Sequence, residues 1–221
     1  DPMGIKPLFY GNVGSTFAFA STLTALAQHP DFSPKISTSA LSAYFAHAFV
    51  PSPQSIYEGI HKLPPGHVLT IGATGDSALS CYWDALRVAQ SGLESPLVGS
   101  DVEIVEAFDA LLRESVRGCL ISDVPLGAFL SGGIDSSLIV ALMRSESAVA
   151  PQTFTIGFED NRFDESPFAE QVAQHLGCDH VHMQCTAADA QQLVPTLADS
   201  YDEPFADSSQ IPTLLLSKLT R

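Results

Sequence analysis

The 221-residue sequence is short of positive charge: 10 lysines and arginines stand against 25 aspartates and glutamates, a formal net charge of −15. So acidic a chain argues against nucleic acid and anionic membrane as partners, because both are held by basic surfaces. No apolar run approaches the roughly 20 residues that a membrane-spanning helix needs. The opening Asp1-Pro2-Met3-Gly4 shows no basic stretch leading into an apolar one, so no secretory signal is expected. Cysteine is sparse, and Cys81, Cys119, Cys178 and Cys185 lack framework spacing. In a chain of this length they read as reduced thiols, and a cytoplasmic location is expected. Cys178, His180, His182 and Cys185 lie close together, but their spacing matches no standard zinc finger, and alternation alone puts both histidines on one strand face.

What is present is a core: 45% of residues are hydrophobic, enough for one large domain or two smaller ones. The first part reads as β-rich. Lys6–Tyr10 and Thr16–Ala20 flank a turn at Gly11–Gly14 and predict a hairpin. Short helices are expected over Thr22–Gln28 and Ser39–Phe49, and a strand over His67–Ile71 that pairs back through Ala78–Trp83. The pattern lapses over 89–101, where Gln90–Pro96 has linker chemistry. From Val102 the period is helical, with Val105, Phe108, Leu112, Val116 and Cys119 on one face. Strands at Leu126–Leu130, Thr153–Phe158 and His180–Gln184 then alternate with helices at Ser136–Ser145, Glu165–Leu176 and Ala187–Leu197. Asp164 is expected to cap the second of these helices and Gly177 to end it. Such alternation predicts a parallel sheet covered on both faces, with ligands beyond the carboxyl ends of its strands.

The most specific feature sits at one of those ends: Ser131-Gly132-Gly133-Ile134-Asp135-Ser136-Ser137. No lysine follows the glycines, so this is not the common G-x-x-x-x-G-K-[ST] phosphate loop. Two readings fit the residues. One is a glycine turn with a helix cap. The other is an anion cradle, in which glycines let a bulky anion approach the backbone, a helix start supplies free N–H groups, and Ser131, Ser136 and Ser137 supply hydroxyls. Asp135 has the wrong sign for phosphate and suits a magnesium ion travelling with it.

The loop resembles the S-G-G-x-D-S loop of enzymes that split ATP into AMP and pyrophosphate. The run from Ile121 to Met143, with Thr153–Phe158 and Tyr201–Thr213, closely resembles the glutamine-hydrolysing asparagine synthetases across nearly the whole chain. The resemblance implies an α/β protein: a β-rich remnant of an Ntn-type glutaminase domain over 1–88, a linker over 89–101, and the first part of a doubly wound, parallel-sheet ATP-pyrophosphatase-type domain over 102–221. It implies ATP, aspartate and glutamine as small-molecule substrates, with Mg2+, and is compatible with a homodimer. The residues it places at ATP are Phe129, Leu130, Ser131, Gly132, Gly133, Asp135, Ser136, Ser137, Ile156 and Gly157, the last two flanking adenine and ribose. Asp1 begins a stretch similar to the family's D-R-x-G-x-K-P-L, with Pro2 in place of arginine, and would hold the amino group of glutamine.

In Asp202-Glu203-Pro204-Phe205-Ala206-Asp207, Asp202 or Glu203 is expected as a second acidic group near magnesium and pyrophosphate, while Asp207 with Gln210 reads equally as a helix cap. The family's cysteine nucleophile and its second loop, S-G-[DE]-x-x-D-E, are not among these residues. The expectation is therefore a portion of such an enzyme, binding nucleotide weakly at best and lacking glutaminase or complete synthetase activity, with no catalytic residue assigned with certainty. An amidotransferase acting on another carboxylate, and a non-catalytic module retaining the fold, stand as alternatives.

Overall fold

A computed structural model describes residues 1–220. The chain divides into two compact units, one comprising residues 1–96 and 195–207, the other 97–194 and the residues from 208 onward.

In the first unit, β1 (Phe9–Val13) and β2 (Thr16–Ala20) form an antiparallel hairpin, and β3 (Ile60–Lys62) pairs with the other edge of β1. The turn lies at Gly14, with φ 59°, rather than across Gly11–Gly14. Gly11 instead belongs to β1, where a Cβ would collide with the carbonyl oxygen of Gly59. Alternation buries Phe9 and Val13 beneath α1 (Leu23–Leu26) and α2 (Thr38–His47), in a core with Leu23, Leu26, Ala40, Val50, Ile56 and Ile60. Thr22 and Ser37 cap the two helices through their hydroxyls. An antiparallel ribbon follows, β4 (His67–Ile71) with β5 (Ser77–Cys81).

Helix α3 (Ala85–Glu94) occupies part of the stretch that reads as linker. Asp84 caps it by accepting from the Arg87 N–H at 2.8 Å. Gly92 inside it is tolerated because one helical glycine costs only about 1 kcal/mol.

The second unit starts with α4 (Asp101–Cys119), opened by a capping box between Ser100 and Glu103. Then come β6 (Gly127–Phe129), α5 (Ile134–Glu146), β7 (Gln152–Phe158), α6 (Ser166–Leu176), β8 (Asp179–Cys185) and α7 (Ala187–Leu193). The strands form a parallel sheet in the order β6-β7-β8, the mixed α/β arrangement that the alternation predicts. Leu130, Val140, Ala169 and Ala173 make a core where α5 and α6 cover one face. Cys185, Leu193 and Leu215 pack with Ile156 and Phe158 on the other, beneath α7 and α9 (Gln210–Leu219).

Helix α7 ends at Leu193 rather than Leu197. Pro195 has no N–H to continue the ladder, and the chain passes through one 3-10 turn into the short α8 (Leu197–Ser200). Residues 195–207, which the sequence assigns to the second domain, fold instead with the first unit.

Candidate functional site

β6 delivers the chain to Ser131, and α5 begins at Ile134, two residues earlier than its periodicity suggests. Asp135 and Ser136 therefore lie in the first helical turn. Gly132 has φ 79°, a conformation that favours glycine. A Cβ there would also stand 2.6 Å from Phe168 Cβ and 2.7 Å from the Ala169 nitrogen, on the first turn of α6. Gly133 is the N-cap of α5 and provides no side-chain cap. The start of that 13-residue helix thus presents N–H groups and the positive end of its dipole.

The loop hydroxyls are bonded to one another. Ser136 Oγ donates to the Gly133 carbonyl at 3.3 Å, and lies 3.0 Å from Ser131 Oγ. With the Ser136 proton so placed, Ser131 is the donor of that pair. The Gly133 N–H donates to Ser131 Oγ at 3.2 Å, and the Ser131 N–H to Ser136 Oγ at 3.2 Å. This ring holds the loop in shape, and both hydroxyls can rotate outward toward an anion. Ser137 differs: its Oγ is turned inward, buried without a hydrogen-bond partner.

The neighbouring strand residues divide by face. Leu130 is 2% exposed and belongs to the core under α5 and α6, so only its backbone is available at the site. Phe129 is 48% exposed and lies in register with Phe154, on the sheet face that also carries Ile156. Ile156 packs against the Cys185–Leu193–Leu215 cluster. Gly157 is buried, and a Cβ on it would meet His182 Nε2 at 2.5 Å, Gln184 Oε1 at 2.9 Å and Asp164 Oδ1 at 3.0 Å. Its missing side chain accommodates these three groups.

Asp164, His182 and Gln184 are absent from the sequence-derived set of site residues. The available signal is Asp164-x-Ser166 before a helix, a local side-chain-to-backbone motif. Asp164 does not occupy the N-cap of α6; Glu165 does, without a side-chain bond. The Asp164 carboxylate accepts from Ser166 Oγ at 2.7 Å and from the Ser166 N–H at 3.1 Å. The Ser166 hydroxyl holds its carboxyl below the usual range, helped by the Ser166 and Phe158 N–H groups and by His182 and opposed by partial desolvation.

Asp135 is an exposed carboxylate in the first turn of α5 with no ion-pair partner among the described residues. No group of three His, Cys, Asp or Glu side chains suited to a metal occurs among them. A single free carboxylate beside a phosphate-shaped loop fits magnesium, which keeps several waters and takes its remaining ligands from phosphate.

Asp202 and Glu203, expected as a second acidic group, are both engaged by groups of the first unit. Asp202 accepts from the Leu23 N–H at 2.9 Å, the Thr24 N–H at 3.1 Å and the Thr24 hydroxyl at 2.8 Å, at the start of α1. Glu203 accepts from the Ile56 N–H at 2.7 Å and is ion-paired with Lys62. Both carboxylates anchor residues 195–207 within the first unit. The N-cap position of α9 is Ser209, not Asp207. Asp1 also acts locally: its carboxylate accepts from the N–H groups of Met3, Ile5 and Lys6 at 3.1, 3.2 and 3.0 Å, tying the loop it begins.

Alternation places Cys185 on the sheet face opposite His180 and His182, which separates the Cys/His group. A cavity of about 760 Å3 opens beyond the ends of β7 and β8, lined by Phe158, Phe163, Cys185 and Ile211 and rimmed by Glu159 and Asp160. That lining does not suit phosphate, and Ser131–Ser137 lie outside it.

Comparison with known proteins matches an asparagine synthase family model to residues 107–221 and a glutamine amidotransferase domain model to residues 1–83. A Methanocaldococcus jannaschii relative is 33% identical across this whole chain, which covers 42% of it. Glutamine-hydrolyzing asparagine synthetase 1 of Bacillus subtilis is 33% identical over 99% of this chain and 33% of its own length. An amidase of Gibberella zeae is 29% identical over 74% of this chain and 26% of its own. The chain thus spans between about a third and two fifths of the length of the first two relatives.

Proposed function

Because the chain belongs to the asparagine synthase family, we propose that its second unit carries the phosphate-binding part of an ATP site used for glutamine-dependent synthesis of asparagine. The single observation behind this reading is the Ser131–Ser136 loop: a positive-φ glycine, an N-cap with no side chain and two rotatable hydroxyls, all beside the free Asp135 carboxylate.

In the proposed reaction a carboxylate oxygen of aspartate attacks the α-phosphorus of ATP. A new P–O bond forms as the bond to the β-phosphate oxygen breaks, giving an acyl-adenylate and pyrophosphate. Ammonia released from glutamine then attacks the acyl carbon, AMP leaves with the bonding electron pair, and a proton is lost to give the amide. The chain's part lies in the first step. Negative charge grows on the departing pyrophosphate, and the Gly132 and Gly133 backbone, the Ser131 and Ser136 hydroxyls and the α5 N-terminus are oriented before that charge develops. Asp135 would hold magnesium, which when bound offsets phosphate charge. Exposed Phe129 offers an apolar surface for the base, and Ile156 lies on the same sheet face, two residues beyond Phe154, the register partner of Phe129.

In a second reading the acceptor is another carboxylate and the loop chemistry is unchanged. Product analysis with a panel of carboxylic acids separates the two.

The decisive measurement is ATP–pyrophosphate exchange by the whole protein. Asp135→Ala is expected to lower it by about a hundredfold or more, the scale of losing one preorganised electrostatic contact. Unchanged exchange would reject the role given to Asp135, and absence of exchange by the wild type would favour a non-catalytic module.

A further inference from the structure

We infer that Asp164 is a positioning residue for the phosphate-binding loop, acting through Ser166 and the first turn of α6. The inference rests on the reading of Ser131–Ser136 as a phosphate site. The floor of that loop is the first turn of α6: Gly132 lies so close to Phe168 and Ala169 that a Cβ would stand 2.6 Å from one and 2.7 Å from the other. Ala169 is fully buried in the core with Leu130, Val140 and Ala173. Any displacement of this turn therefore moves the glycine that shapes the loop.

One side chain determines where the turn begins. Glu165, at the N-cap, makes no side-chain bond. Asp164 holds both the N–H and the hydroxyl of Ser166, which is 5% exposed. The same carboxylate lies over Gly157 near the end of β7, where a Cβ would meet its Oδ1 at 3.0 Å. It thus sits between the strand end and the helix start, across an excursion, residues 159–163, that is exposed throughout. Ser166 passes that constraint to Ala169, one turn along, and Ala169 passes it to Gly132. Asp164 touches no phosphate in this scheme. Its contribution is to place the turn against which the loop is packed.

The experiment is titration of the wild type, Asp164→Ala, Asp164→Asn and Ser166→Ala with Mg–ATP and with inorganic pyrophosphate, alongside far-UV circular dichroism. Asp164→Ala is expected to weaken both ligands by about tenfold to a hundredfold, the range that follows from a small misplacement of a binding group. Asp164→Asn, which retains an acceptor for Ser166, should restore most of the loss. Ser166→Ala combined with Asp164→Ala should add little to Asp164→Ala alone, because both act through one tie. In exchange assays on the whole protein, Asp164→Ala should raise KM for ATP and also lower kcat, because the same loop meets the charge growing on pyrophosphate.

Binding by Asp164→Ala equal to wild type overturns the positioning role. So does failure of Asn to rescue a variant whose circular dichroism is native. Absence of binding by the wild type rejects instead the underlying reading of the loop.

Discussion

His180 is held in one tautomer by its neighbour. Thr153 Oγ1 donates to the Asp179 carbonyl at 3.3 Å and lies 2.8 Å from His180 Nδ1. With the threonine proton so placed, His180 carries its own proton on Nδ1, and Nε2 is a buried lone pair without a hydrogen-bond partner. Burial lowers the imidazole pKa from its ordinary 6.5, against the opposing carboxylates of Glu170 and Asp179 and with a small push from His182. The unfolded chain therefore binds this proton first as pH falls. Stability from the neutral ring is complete above 6.5, decreases as pH drops below it, and levels off beneath the folded-state value. Melting temperature should fall between pH 7.5 and 5.5, and His180→Asn, which keeps a donor for Thr153, should show a smaller fall. Equal falls in both proteins would count against a buried neutral His180.

At the scale of elements, α4 and α5 are joined by a charged clasp. Arg117 contacts Glu146 at 2.5 Å, and Arg113 contacts Glu146 at 3.2 Å and Asp109 at 2.6 Å. The two guanidinium groups, Arg117 first, hold the Glu146 carboxyl below its ordinary 4.5. Its contribution is thus present above pH 4.5 and lost as pH falls through the folded-state value. Glu146→Gln should lower the melting temperature by a few degrees at pH 7 and by almost nothing at strongly acidic pH. A difference independent of pH would point to packing rather than charge. Beneath the clasp, Val116, Leu142 and Met143 form the apolar contact between these helices, which the i, i+3 and i+4 spacing of α4 anticipates.

For the whole molecule, the assignment of residues 195–207 to the first unit is the main departure from linear order. Asp202 at the start of α1, Glu203 on Lys62 and Ile56, and the Ala206 N–H on the Ala48 carbonyl at 2.8 Å hold it. Glu203→Ala leaves the Ile56 N–H without its partner and the Lys62 ammonium with only the Val50 carbonyl. It should cost about 1–3 kcal/mol in the first unit, the usual penalty for an unsatisfied buried polar group, as read by urea denaturation. Proteolysis between 195 and 207 should accelerate in parallel. Retained stability would mean that the apolar contacts of the segment suffice.

How much was legible follows the range of the interactions. The three parallel strands, their helices, Gly177 at the end of α6 and the glycine loop could be read because periodicity and turn chemistry act over a few residues. The inward turn of Ser137, the filling of the space over Gly157 and the anchoring work of Asp202 and Glu203 could not. Asp202 meets Leu23 across 179 positions of chain and Glu203 meets Ile56 across 147, and no local pattern encodes such partners. The sequence by itself determined the elements and the residue types available to a phosphate site. Only tertiary structure decided which of these carboxylates stays free, because a charged side chain goes to whichever unpaired N–H or ammonium packing brings within reach.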